Sequence, residues 1–139
     1  MAVRSPWPVT RGGKLVALLW ASPVILAGLL GAVLAWPLTW GLPRFAAGAL
    51  EVQGEGPLPR LLRRLGWAGY TLGATIWYWV EPDDALRKHE RQHVRQYLHQ
   101  GVLMGLGYLA WMLHLKAEGK RPYEDNPFEV EATAAEEIA

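Results

Sequence analysis

His89-Glu90-Arg91-Gln92-His93 is the stretch on which the reading of this chain turns. Two histidines four residues apart share one face of an α-helix and can grip a single metal ion. Glu90 falls about 100° round the helix from His89, beside such an ion and not on it. From there its carboxylate can take a proton from a water that a metal has made acidic. The pattern needs a helix to carry it, and the flanking sequence predicts one. Asp83-Asp84, after Pro82, puts acidic groups at a helix start. Gly101 offers a stop, so a helix is expected over about residues 85–99. Arg87, Lys88, Arg91 and Arg95 are expected to keep it in water, which argues against a motif helix lying inside a bilayer.

Upstream, Thr71 to Val80 (TLGATIWYWV) is rich in β-branched and aromatic residues and predicts one strand ending before Pro82. Its alternation of Ile76, Tyr78 and Val80 with Trp77 and Trp79 suits either an edge open to an extended peptide or a strand covered on both faces. Leu50 to Gln53 predicts a second short strand, closed by the turn Gly54-Glu55-Gly56-Pro57. Leu58 to Leu65 reads as a short helix or a basic surface turn. Downstream, the apolar run Val102 to Leu115 is too short to cross a membrane and suits a core helix or one resting in the interface. Lys120 to Asn126 reads as a polar loop, and Pro127 suits the first position of a last helix over 127–138. The expected fold class is mainly α with a small β element (α+β).

The first forty residues differ in kind. From Leu15 to Trp40 no residue is charged, and a hydrocarbon core needs only about 20 apolar residues to be crossed. Pro23 is expected to kink this helix and Pro37 to mark its exit, with Trp36 and Trp40 at the depth of aromatic belts. A cleaved leader would have an apolar core of only about 7–15 residues, and the nearest small-residue pattern, Ala47-Gly48-Ala49, lies too far downstream. Residues 1–43 are therefore expected to be a tail and a single-pass transmembrane anchor. Residues 44–139 would form a metal-binding domain in the aqueous phase next to the bilayer. Arg4, Arg11 and Lys14 precede the segment and Arg44, Arg60, Arg63 and Arg64 follow it, so basic flanks leave the orientation open.

Composition narrows the chemistry. The chain has 139 residues, one domain's worth, with eight Trp and a net charge of +1. No basic groove is interleaved with spaced aromatics, so nucleic acid is not an expected partner. Cysteine is absent, which removes disulfides and Cys-type zinc sites and leaves His and carboxylate as the available ligands.

A zinc site of this kind needs a third protein ligand, and three residues compete for the place. Glu129 and Glu131 lie in Asn126-Pro127-Phe128-Glu129-Val130-Glu131-Ala132, at the start of the last helix. His99 follows His93 at the spacing of the extended metzincin pattern HExxHxxGxxH, where a glycine swings the final His to the metal. Gln96 stands at that glycine position here. If the helix continues, His99 points about 240° away from His93, so a downstream Glu fits better.

The pairing of HERQHVRQY (89–97) with NPFEVEA (126–132) resembles a family of short, largely uncharacterised bacterial membrane-associated proteins related to compact gluzincin metallopeptidases. The resemblance covers about residues 71–135. It implies a minimal zincin-like domain and a third ligand on a later helix, three residues before an Ala; Glu129 with Ala132 matches, and Glu131 does not. Many gluzincins place Asp or Asn after that Ala, where Thr133 stands here. The implied activity is zinc-dependent hydrolysis of a peptide or protein substrate, with Glu90 as general base. The rival expectation is a non-catalytic membrane protein whose structural His/Glu metal site serves interaction or assembly. Tyr97, one turn beyond His93, is a candidate to line a cleft or to pack in the core. Tyr123 is a candidate oxyanion donor or a plain loop aromatic, and His114 an exposed or capping histidine. Glu131 is also a candidate hydrogen-bond partner for a ligand histidine.

Overall fold

The computed structural model describes residues 4–138. The chain is mainly helical, with one small four-stranded sheet. Its elements run α1 (Arg11–Thr39), β1 (Arg44–Ala46), β2 (Ala49–Gln53), α2 (Pro57–Arg64), β3 (Gly69–Leu72), β4 (Thr75–Tyr78), α3 (Asp84–Gln100), α4 (Val102–Ala117) and α5 (Pro127–Glu136).

Helix α3 carries the motif and sits at the centre. Asp83 caps it by accepting from the Leu86 N–H at 2.8 Å, satisfying one of the first-turn donors that a helix leaves free. At the other end Gly101 donates to the Tyr97 carbonyl at 2.7 Å and turns the chain with φ +58°, a conformation that costs glycine little. Of the four basic residues expected to keep this helix in water, Arg95 is exposed, Arg87 and Lys88 are half-buried and Arg91 is buried. His89, Glu90, Arg91, His93, Val94, Gln96, Tyr97 and Leu98 are all buried. Arg91 reaches under the sheet to Glu51 at 2.7 Å and to the Ala46 carbonyl at 3.0 Å. A charge faces water only where nothing packs over it, and β2 packs over this one.

The segment read as one strand, 71–80, is a hairpin. Gly73 takes φ +63°, which permits a two-residue turn between Leu72 and Thr75, and β3 folds back antiparallel on β4. Strand β2 joins β4 in parallel, and the order across the sheet is β1-β2-β4-β3. β4 is therefore a central strand covered on both faces, and the edges of the sheet are β1 and β3. Alternation divides its side chains. Ile76 and Tyr78 enter a core with Val94, Tyr97 and Leu98. Trp77 and Trp79 enter a second with Ala32 and Val52. Ile76 and Val94 are fully buried, each contributing about 1.5–3 kcal/mol.

Helix α1 is long and apolar enough to cross a membrane, a test that core helices and leader sequences also pass. It continues through Pro23, whose missing N–H leaves the Leu19 carbonyl without its usual donor. The Ser22 hydroxyl donates to that carbonyl at 2.9 Å. One narrow stripe of α1 is buried: Ala17, Ala21, Val24, Gly28 and Ala32. Small residues let it approach closely, and a Cβ on Gly28 would collide with the Leu72 carbonyl. Ala17, Ala21 and Val24 share a core with Ile76 and Val94, so residues before and after position 43 are packed together.

Candidate metal centre

Two helices build the centre. α3 presents His89 and His93 on one face, and α5, capped by the Asn126 side chain accepting from Phe128 N at 3.1 Å, brings up Glu129 across it. One ligand atom from each of the three residues falls within 4.8 Å of the others, and all three side chains are buried. His89 Nε2 lies 3.0 Å from Glu129 Oε2, His93 Nε2 3.4 Å from Glu129 Oε1, and the two Nε2 atoms are 3.2 Å apart.

The outer nitrogens show why these atoms converge. His89 Nδ1 is 2.8 Å from Glu136 Oε1, and a carboxylate there accepts the Nδ1–H. His93 Nδ1 is 2.9 Å from Gln96 Oε1. The Gln96 amide nitrogen donates to the Phe128 carbonyl at 3.0 Å and to Glu131 Oε2 at 2.9 Å, which turns its oxygen toward His93. When neutral, both rings are thereby assigned the tautomer whose Nε2 lone pair points at the common centre, the arrangement that metal-binding histidines use. The donor set, two imidazoles and a carboxylate without sulfur, fits a divalent ion that leaves a fourth position open.

Charge in the cluster is shared. Burial would raise the Glu129 carboxyl, but hydrogen bonds to His89 and His93, with that of Tyr108, hold it well below its ordinary value. Burial would likewise discharge His89 and His93, yet Glu129 outweighs it and both rings titrate above their ordinary value. Tyr108, on α4, donates to Glu129 Oε1 at 2.7 Å. Its hydroxyl is raised first by burial and then by that bond.

Glu90 stands beside this group and outside it. Its side chain is buried and accepts from the Thr71 hydroxyl at 2.6 Å. Burial raises its carboxyl despite the opposing pull of His93, Thr71 and His89. Gly69, also on β3, lies so close that an added Cβ would come 2.6 Å from Glu90 Oε1.

Of the other candidates, His99 is exposed because α3 runs unbroken past Gln96 to Gln100. Only its backbone is engaged, as its carbonyl accepts from Trp20 Nε1 at 3.1 Å. Glu131 is exposed and bonds Gln92 and Gln96, touching His93 only through Gln96. Tyr97 packs in the core beside Val94, its hydroxyl pushed up to about 12 by burial and by Tyr70. Tyr123 is half exposed; burial of its hydroxyl and the nearby Glu129 charge raise it. His114 lies in the open, 3.5 Å from Glu118. Sequence reasoning missed Thr71, Gln96, Tyr108 and Glu136 as partners of the cluster. Gln96 alone carried a signal, because it stands one turn beyond Gln92 and three residues past His93.

Fold and cluster together define a mainly helical protein with a small mixed sheet and a buried His-His-Glu group that could hold a metal ion. No protein-family model, curated protein or solved structure matches this chain.

Proposed function

We propose that this chain is a membrane-attached, zinc-dependent metallopeptidase built on a minimal zincin-like domain. Glu90 carries the reading. A group that only anchors a metal has no use for a carboxyl that bonds none of its ligands, yet Glu90 is buried beside the cluster and held by Thr71 at 2.6 Å. A zinc ion held by His89, His93 and Glu129 supplies Lewis acidity, bringing the ionisation of water close to neutral pH and polarising a carbonyl. Glu90 receives the proton from the attacking water and returns it to the departing amine. The low dielectric around Glu90 favours its protonated form, which aids the second step, while Thr71 favours the carboxylate needed for the first. Strand β3, which carries both Thr71 and Gly69, has a free edge along which an extended peptide can pair. Helix α1 provides the attachment.

A second reading, a structural metal centre serving assembly, draws support from the burial of the cluster: His89, His93 and Glu129 are 7%, 7% and 4% exposed. Glu90→Gln separates the two. It leaves all three ligands in place, so zinc content stays at the wild-type level, while cleavage of a broad peptide library falls by about 10²–10⁴-fold. Cleavage that survives in Glu90→Gln overturns the hydrolytic mechanism. Zinc-loaded wild type that cleaves nothing, yet loses thermal stability when the metal is removed, supports the structural centre.

A further inference from the structure

Two helices present apolar faces that nothing among the described residues covers. On α1, Leu15, Leu19, Leu26, Leu30 and Val33 are between 57% and 66% exposed. At about 100° per residue they form one continuous side opposite the buried stripe Ala17 to Ala32. On α4, Val102, Leu106, Leu109 and Leu113 form a similar exposed side opposite the buried Met104 and Leu115. The helices meet at Trp20, whose indole donates to the His99 carbonyl and whose backbone abuts Gly101, where α4 begins.

Charge shows how these faces meet a bilayer. The stripe on α1 packs against the rest of the fold from Ala17 to Ala32. If α1 stood across the membrane, everything beside that stripe would lie at hydrocarbon depth. Beside its first half is α3, where Arg95 is exposed between the buried Val94 and Gln96. Beside its second half is α2, whose Leu58 and Leu62 pack with Ala32 and whose Arg64 is exposed. Charged side chains at that depth are strongly disfavoured. Laid along the surface, α1 puts only its apolar side into lipid and leaves these arginines in water. α4 is too short to span, and its sequence has no Asp, Glu, Lys or Arg before Lys116.

We infer that this protein is monotopic: α1 and α4 both lie along one face of a phospholipid bilayer, and α1 does not cross it. This rests on the membrane attachment proposed above. Because Tyr108 of α4 bonds Glu129, the metal centre sits about one helix diameter, 10–12 Å, from lipid. Its substrates are accordingly peptide segments at the membrane surface.

The chain contains no cysteine, so single nitroxide labels can be placed without a background. Leu15→Cys, Leu26→Cys, Val33→Cys, Leu106→Cys and Leu109→Cys, with Arg95→Cys as a water-exposed reference, are made in the full chain and reconstituted into phosphatidylcholine vesicles. Collision with oxygen and with a water-soluble nickel chelate then reports depth. All five apolar sites are expected at one shallow depth, oxygen-favoured, with Arg95→Cys chelate-favoured. A crossing helix would place Leu26 about 10–17 Å deeper than Leu15 and Val33, and that gradient overturns the inference while leaving membrane attachment intact. Lipid exposure on α1 with Leu106 and Leu109 in water overturns the role of α4. If all sites are chelate-favoured and the protein floats free of vesicles, membrane attachment itself fails.

Discussion

Thr71 donates its hydroxyl to Glu90 Oε2 at 2.6 Å, tying an edge strand of the sheet to a buried carboxyl beside the metal cluster. Gly69, two residues earlier, leaves room for the other oxygen. Gly69→Ala would put a Cβ 2.6 Å from Glu90 Oε1, and the side chain of Glu90 can swing aside more easily than the strand can move. The variant is therefore expected to fold and to keep wild-type zinc content, while peptide cleavage falls at least about tenfold through misplacement of the base. Thr71→Val removes the hydroxyl at nearly constant volume and should shift the acidic limb of the pH–rate profile upward, because the carboxylate loses a donor that favours it. Unchanged pH profiles in both variants would detach Glu90 from the chemistry.

Metal content tests the cluster directly. Elemental analysis of the gently purified protein is expected to find about one zinc per chain, the stoichiometry of a three-ligand site. Glu129→Ala, His89→Ala and His93→Ala should each lose it; His99→Ala should not, since that side chain faces away. Retention of zinc in Glu129→Ala with loss in Glu131→Ala would transfer the third ligand to Glu131.

Glu136 holds the His89 ring by its Nδ1–H at 2.8 Å. Glu136→Ala should leave the ligands intact but weaken zinc affinity by about 10–100-fold, the usual effect of removing an outer partner. A competition titration with a fluorescent chelator measures this. Affinity equal to wild type would show that ring to be positioned by packing alone.

Zinc binding should also depend on pH in a defined direction. In the metal-free protein His89 and His93 titrate above their ordinary value of 6.5. Protonated rings paired with Glu129 then contribute stability that is full below about 6.5 and fades as pH rises through the raised folded value. A ligand must be neutral, so apparent zinc affinity climbs across that same window as protons are displaced. Calorimetry at pH 7 in buffers of different ionisation enthalpy should register proton release on binding. No release would mean that the rings are already neutral.

Glu51 offers a test of stability away from the metal. Burial alone would raise its carboxyl; hydrogen bonds from Arg44 and Arg91 and the charge of Arg87 bring it below 4.5 instead. A depressed folded value means that its contribution is present above about 4.5 and is lost as pH falls through that folded value. Glu51→Gln strands the buried Arg91 guanidinium, and removing one partner of such a pair costs about 3–5 kcal/mol. Urea melts at pH 7 should show the loss, and the gap from wild type should narrow on acidification below 4.5. A pH-independent gap would assign the effect to packing.

Much of this molecule was legible one segment at a time. The Asp83 cap, the Gly101 stop, Pro127 opening the last helix and the apolar N-terminal helix are local signals, set by neighbours a few residues away. So was the demand for His and carboxylate ligands in a chain without cysteine. The strand at 71–80 was misread because Gly73 can end a strand or sit within one, and only the pairing of β3 with β4 decides. Arg91 was misjudged because nothing near it in sequence announces that Glu51, forty residues earlier, lies against it. The convergence of Glu129 with His89 across forty residues, the hold of Glu136 and Gln96 on the two rings, and the packing of α1 along the sheet have the same origin. Helices and caps follow from short-range backbone hydrogen bonding, which a sequence displays. Which side chains meet depends on how those elements stack, and that was decided by burial summed over the whole chain.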